Sequence, residues 1–138
     1  GNGFPCCDAD LSSEYCIVIE HRNHLIIMSE MLPVTNGKIS CDFRSRQSYI
    51  DLSLGQGFYV GQKVITPGNY AMYAGNGFQI IESDSDTDIT VDDRTWWESH
   101  NGTIAKYLSG DYNLNGDCNM DDRIVWELNN GKFTSVPR

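Results

Sequence analysis

Residues 82–102, ESDSDTDITVDDRTWWESHNG, return 29 positions later as residues 111–131, DYNLNGDCNMDDRIVWELNNG. No gap is needed to align them. Glu82 falls on Asp111, Asp84 on Asn113, Asp86 on Asn115, Asp88 on Asp117 and Thr90 on Asn119. Asp92-Asp93-Arg94 then falls on Asp121-Asp122-Arg123, Trp97-Glu98 on Trp126-Glu127, and Asn101-Gly102 on Asn130-Gly131. A unit this short cannot bury an apolar face by itself, so two copies are expected to stack against each other.

The chemistry of the repeat lies in its oxygen spacing. Counting from Glu82 or Asp111, oxygen side chains occupy loop positions 1, 3, 5, 7, 9 and 12, the spacing of an EF-hand-type calcium loop. Calcium takes about six to eight hard oxygen ligands with little directionality, and a curled loop turns alternate side chains toward one point. The candidate ligands are Glu82, Asp84, Asp86, Asp88, Thr90 and Asp93 in loop 1. In loop 2 they are Asp111, Asn113, Asn115, Asp117, Asn119 and Asp122. Position 7, Asp88 or Asp117, offers its backbone carbonyl, and Asp93 or Asp122 closes the sphere from the following helix. Gly116 supplies the sharp bend at position 6, where loop 1 has Thr87. Two calcium ions are therefore expected. The competing reading is a solvated acidic linker of Asp, Ser and Asn turns.

The segment after each loop reads as a short helix. Asp93–Ser99 and Asp122–Asn129 open on acidic residues, favourable at a helix N-terminus, and end at Asn-Gly, a left-handed stop. Trp96, Trp97, Ile124, Val125, Trp126 and Leu128 are the expected shared core. Carbohydrate stacking by the tryptophans is the alternative to packing.

The stretch GDYNLNGDCNMDDRI resembles a dockerin-type calcium repeat, and YCIVIEHRNHLIIM…PGNYAMYAGNG resembles a C-terminal module of secreted or surface Bacteroidetes proteins. The likeness spans about residues 15–131, and HRNHL at 21–25 with the paired DDR elements are its most specific parts. It implies a noncatalytic secreted or surface module in which a β-rich segment precedes two calcium repeats.

The charge distribution agrees with cation sites. Of the net charge of −9, residues 1–81 hold 7 acids and 5 bases, and residues 82–138 hold 12 acids and 5 bases. Nucleic-acid binding, which needs basic patches, is not expected, and no apolar run is long enough to span a membrane. Cysteines stand at 6, 7, 16, 41 and 118 without zinc spacing. In an oxidising compartment Cys6 and Cys7 have Cys16 and Cys41 as natural disulfide partners. Cys118 replaces an apolar loop residue and reads as a buried thiol, with an intermolecular bridge as the alternative.

Residues 15–81 read as short strands. Tyr15–Glu20, Leu25–Met28, Leu32–Thr35, Ile39–Phe43, Phe58–Val60, Val64–Thr66 and Tyr70–Ala74 are separated by Asn36-Gly37, Pro67-Gly68 and other turn signals. The expected fold is mainly β: an N-terminal extension (1–14), a sandwich-like antiparallel sheet (15–81) and two EF-hand-like calcium loop-helix units (82–138). An open sheet edge invites pairing with other chains. The function classes in play are an extracellular or cell-surface calcium-stabilised structural module, a self-assembling filament subunit, and an accessory adhesion or carbohydrate-binding module of a larger secreted enzyme.

An enzyme is not expected. There is no GxSxG, Walker-type loop or HExxH. His21 and His24 form an HxxH pair, but on one continuous strand they would point to opposite faces, which favours a structural role for their imidazoles. Asn101-Gly102-Thr103 is formally a glycosylation sequon that coincides with the helix stop.

Overall fold

The computed structural model describes residues 13–49, 51, 61–79 and 87–136. Its elements are β1 (Glu14–Tyr15), β2 (Val18–His21), β3 (His24–Met28), β4 (Leu32–Pro33), β5 (Lys63–Thr66), β6 (Asn69–Ala71), α1 (Val91–His100) and α2 (Met120–Asn129). The strands are short and antiparallel. Among the described residues they form three two-stranded ladders, β1–β4, β2–β3 and β5–β6. The turn signals hold where they are strongest. Asn36 (φ 52°) and Gly37 (φ 70°) turn the chain between the bridged Thr35 and Lys38, and Pro67-Gly68 joins β5 to β6. Residues 39–43 form no strand: Asp42 caps a turn, accepting backbone N–H bonds from Ser45 and Arg46 at its carbonyl. Phe58–Val60 lies outside the described residues.

The element that organises the fold is β3. Its Leu25, Ile26, Ile27 and Met28 are all buried, so the half-exposed alternation of a surface strand is absent. The period-2 geometry of a strand sends neighbours to opposite faces. Leu25 joins a cluster with Ile89, Trp97, Tyr112, Cys118 and Trp126, while Ile26 and Met28 join a second with Val136. The first cluster crosses the boundary expected between residues 81 and 82, so the β part and the repeats share a core.

The repeats close on each other reciprocally. Ile89 N–H donates to Lys132 O (2.8 Å) and Gly131 N–H to Ile89 O (2.8 Å). Twenty-nine residues away, Cys118 N–H donates to Thr103 O (2.8 Å) and Gly102 N–H to Cys118 O (2.8 Å). The indoles repeat the exchange: Trp97 Nε1 donates to Asn119 O (2.9 Å), and Trp126 Nε1 to Thr90 O (2.7 Å). Each loop is thus pinned by the segment after the other copy's helix, a pseudo-twofold arrangement.

Both helices begin two residues earlier than their acidic openings suggest. Thr90 and Asn119 are the N-caps, and Asp93 and Asp122 complete capping boxes from the third helical position, satisfying N–H groups that a helix start leaves open. Gly102 (φ 86°) and Gly131 (φ 80°) provide the left-handed stops.

The expected shared core is corrected in part. Trp97 and Trp126 are buried and Val125 packs beside them, but Ile124 and Leu128 are 51% and 69% exposed. The inward face of α2 is taken by Asp122, Trp126 and Asn129. Ile124 lies roughly 200° around the helix from Trp126, on the opposite side. Trp96 packs apart from this core, against Phe78 and His100, with its Nε1 donating to Ser109 Oγ.

Leu25→Ala is expected to destabilise the protein by about 3 kcal/mol in urea unfolding, because it opens a cavity where the β part meets the repeats. Leu128→Ala, on the exposed side of α2, should change stability by less than about 0.5 kcal/mol.

Candidate metal centre

Every candidate ligand of loop 2 is among the described residues. Asp111 and Asp122 are both fully buried. Asp111 Oδ1 accepts from Asn115 N–H (3.1 Å) and its Oδ2 from Gly116 N–H (3.0 Å). Asp122 Oδ1 accepts from Asn113 N–H (3.0 Å) and its Oδ2 from Asn119 N–H (2.8 Å). The loop therefore curls around two carboxylates placed at its first and twelfth positions. The side-chain oxygens of Asn113 and Asn115 turn back onto the loop as well, accepting from Asn115 N–H (3.0 Å) and Asp117 N–H (2.8 Å). Asn119 Oδ1 accepts from Asp121 N–H (2.8 Å), and Asp117 Oδ1 from Ala105 N–H (2.8 Å). The curl requires left-handed backbone at Leu114 (φ 63°) and Gly116 (φ 93°), the latter at the bend expected for glycine.

This donor set fits a hard cation. An ionised carboxylate offers about four acceptor sites, so these bonds leave capacity on each oxygen. Two carboxylates are fully buried within one short loop, and burying a carboxylate in charged form requires a compensating charge or hydrogen bonds. Among the described residues no group of three or more His, Cys, Asp and Glu forms a metal cluster. Loop 2 instead combines two carboxylates with amide oxygens, a mixture calcium accepts.

Loop 1 is described only from Thr87 onward; Glu82, Asp84 and Asp86 lie outside the described residues. Asp88 is exposed and bridges to Phe133. Thr90 Oγ1 accepts from Asp92 N–H (3.3 Å) as N-cap. Asp93 is buried, its Oδ2 accepting from Thr90 N–H (2.7 Å) and its Oδ1 from Phe78 N–H (2.9 Å). In loop 1 the twelfth residue thus holds the incoming 77–78 segment. Burial raises the Asp93 carboxyl above its usual range despite donors from Thr90, Phe78 and Gly77, and the Asp88 charge adds to the rise. Gly77 admits this approach, since a Cβ there would stand 2.6 Å from Tyr112 Oη and 2.7 Å from Ser109 O. No sequence signal marks that contact.

The HRNHL element has a role that strand periodicity conceals. Arg22 and Asn23 are the two-residue turn between β2 and β3, and His21 pairs directly with His24. The two imidazoles therefore meet, with ring centroids 4.6 Å apart and Nδ1 to Nδ1 at 2.9 Å. The expectation that they face opposite sides is overturned, because it assumes one continuous strand. The hairpin tip docks on loop 2. Fully buried Asn23 donates from Nδ2 to Asp111 O. Arg22 lies 3.9 Å from Asp111 Oδ2, donates to Leu108 O (3.4 Å) and covers the Tyr107 ring at 5.6 Å.

Cys118 is a buried thiol, as its loop position suggests. Its Sγ donates to Gly110 O (3.3 Å), and burial, then the charges of Asp122 and Asp111, push it up to about 11. Among the described residues Cys16 and Cys41 carry no disulfide; Cys6 and Cys7 lie outside them. Beside α1 a shallow cleft of about 210 Å³ is lined by Phe78, Asp92, Thr95, Trp96 and Ser99. No helix among the described residues is long and apolar enough to cross a membrane.

Comparison with family models, with curated proteins and with solved structures gives no match to this chain.

Burial, followed by the charges of His21 and Arg22, lowers His24 from 6.5 to about 4. The folded state therefore takes up this proton less readily than the unfolded chain. The associated stability is fully present above about pH 6.5, falls as the pH drops toward 4, and is gone below it. Urea unfolding should show up to about 2 kcal/mol less stability at pH 5 than at pH 7. His24→Gln should remove most of that difference.

Proposed function

We propose that this chain is a noncatalytic, calcium-stabilised structural module of an extracellular or cell-surface protein. The observation that carries the reading is loop 2, where the fully buried Asp111 and Asp122 hold backbone N–H groups of one loop. Asp111, Asn113, Asn115, Asp117, Asn119 and Asp122 would hold one ion. The equivalent set Glu82, Asp84, Asp86, Asp88, Thr90 and Asp93 would hold a second. The resemblance to dockerin-type repeats and the EF-hand-like spacing support the same assignment.

The mechanism is thermodynamic. Two carboxylates buried in one loop repel each other and lose hydration, and a bound divalent ion offsets both effects while adding its binding energy to folding. The reciprocal pairing then distributes that stability, because loop 2 is tied through Cys118 to the end of α1, and loop 1 through Ile89 to the end of α2. Millimolar extracellular calcium suits weak structural sites of this kind.

A second reading, a self-assembling subunit whose partner is another chain, is favoured by one specific feature. Met120, Ile124 and Leu128 recur every four residues along α2 and are 53%, 51% and 69% exposed, a ridge of apolar surface at helical spacing. Size-exclusion chromatography and electron microscopy at high concentration with calcium separate a monomeric module from a filament.

Calorimetric titration is expected to find two calcium sites, and a chelator should lower the melting temperature by several degrees. Asp111→Asn should abolish one site, and Asp122→Ala should reduce the calcium-dependent part of the melting shift. Unchanged melting on chelation, with no heat of calcium binding, is the outcome that defeats the reading.

Arg22 sharpens the test. Its guanidinium is the nearest described cation to Asp111, so it competes electrostatically with an ion in loop 2. Arg22→Gln should tighten the site lost in Asp111→Asn by about five- to tenfold at low salt, with the gain shrinking near 0.5 M salt. Arg22→Lys should stay near wild type. If the arginine serves packing alone, both variants weaken the site instead.

A further inference from the structure

We propose that the tip of the β2–β3 hairpin is a second kind of metal site, in which His21, His24 and Asn23 hold a divalent transition ion of the copper(II) or nickel(II) class. The inference rests on the hairpin alone and stands whether or not the acidic loops take calcium.

The geometry begins with the turn. Because Arg22 and Asn23 reverse the chain, His21 and His24 are cross-strand partners, and their Nδ1 atoms lie 2.9 Å apart. His24 Nδ1 is also 2.8 Å from Asn23 Oδ1. The orientation of that amide is set from its far side, where Nδ2 donates to Asp111 O. Asn23 Oδ1 can only accept, so His24 Nδ1 carries the proton. His21 Nδ1, facing the same N–H, is an acceptor and holds its own proton on Nε2. One hydrogen thus sits among three nitrogen and oxygen donors, the position a Lewis acid takes in a chelate.

The donor types narrow the choice of ion. Donors about 2.05 Å from a metal and at right angles to each other are about 2.9 Å apart, whereas tetrahedral donors are about 3.3 Å apart. The observed 2.9 and 2.8 Å are hydrogen-bond distances that an ion can also span between adjacent corners of a tetragonal or octahedral sphere, the geometry copper(II) and nickel(II) adopt with imidazole and oxygen ligands. Calcium, which prefers oxygen, is a poor match for two imidazoles. Both rings are only half-buried, so water can complete the sphere. Asn23 is fully buried and locked at both ends of its amide, which holds the oxygen in place. Gln79 Nε2 donates to both His21 O (2.9 Å) and His24 O (3.3 Å), bracing the backbone of the pair. Arg22 is the unfavourable neighbour, but its guanidinium is engaged by Asp111, Leu108 O and the Tyr107 ring.

Binding needs no net proton release at neutral pH. The ion replaces the hydrogen on His24 Nδ1, and that proton moves through solvent to His24 Nε2, leaving both imidazoles neutral. The tautomer change is itself observable.

The test uses the full chain in excess calcium, which competes for any carboxylate site, titrated with nickel(II). Binding of one equivalent is expected, with the His21 and His24 ring signals and the Asn23 side-chain amide broadened in the NMR spectrum. His21→Gln should weaken that binding at least tenfold by calorimetry. The Cys16→Ser/Cys41→Ser double variant should bind as wild type. Absence of binding, binding that tracks the thiols, or broadening centred on other residues overturns the site. Should His21→Gln fail to fold, the wild-type broadening pattern alone decides, because it locates the ion by residue.

Discussion

The exchange of backbone bonds between the two repeats is the constraint on which the rest of the structure depends. Ile89 is held by Gly131 and Lys132, and Cys118 by Gly102 and Thr103. Neither loop-helix unit is complete alone, since the partner that pins its eighth loop position comes after the other unit's helix. The crossed indole bonds of Trp97 and Trp126 repeat the same exchange between side chain and backbone. With both loops fixed, Ile89, Cys118 and the two tryptophans present one apolar surface, and Leu25 of β3 completes it.

That completion makes the β part something other than an appended sheet. Its ladders are short and separate, and a two-stranded hairpin is marginal on its own. The β2–β3 hairpin gains support because its tip reaches loop 2 and its Leu25 enters the repeat core. Asn23 links three things at once: its Nδ2 binds Asp111 O, its Oδ1 meets His24 Nδ1, and its carbonyl accepts from Gly75 and Asn76 N–H. The acidic loop, the histidine pair and the 75–77 segment are therefore mechanically connected. A change of charge in loop 2 is felt first by Arg22 and Asn23.

The capping boxes add a second layer of meaning to residues singled out for oxygen spacing. Thr90 with Asp93, and Asn119 with Asp122, close the helix N-termini. The twelfth position of each loop, proposed above as a calcium ligand, is also the third residue of its helix, so one side chain would serve both purposes.

Much of this is legible in the chain. The register of the repeat, the helices after each loop, the Asn-Gly stops, the bend at Gly116 and the buried Cys118 come from local rules of spacing, capping and backbone freedom. Two misreadings share a different cause. Ile124 and Leu128 look like core by composition, yet Asp122, Trp126 and Asn129 take the inner face of α2. Strand spacing likewise says nothing of which strands pair; among the described residues they form three two-stranded ladders. Periodicity sends His21 and His24 to opposite faces, because a two-residue turn without glycine, Arg22-Asn23, carries no strong turn signal.

The amino-acid order alone determined the repeated units, their oxygen spacing and the Asn-Gly stop after each helix, because these depend on interactions within a few residues. Only the tertiary structure decided that the repeats exchange partners, that Gly77 lies against Tyr112, and that the HRNH turn lands on Asp111. Those contacts join residues far apart along the chain, and their energy exists only once the intervening segments have been brought together.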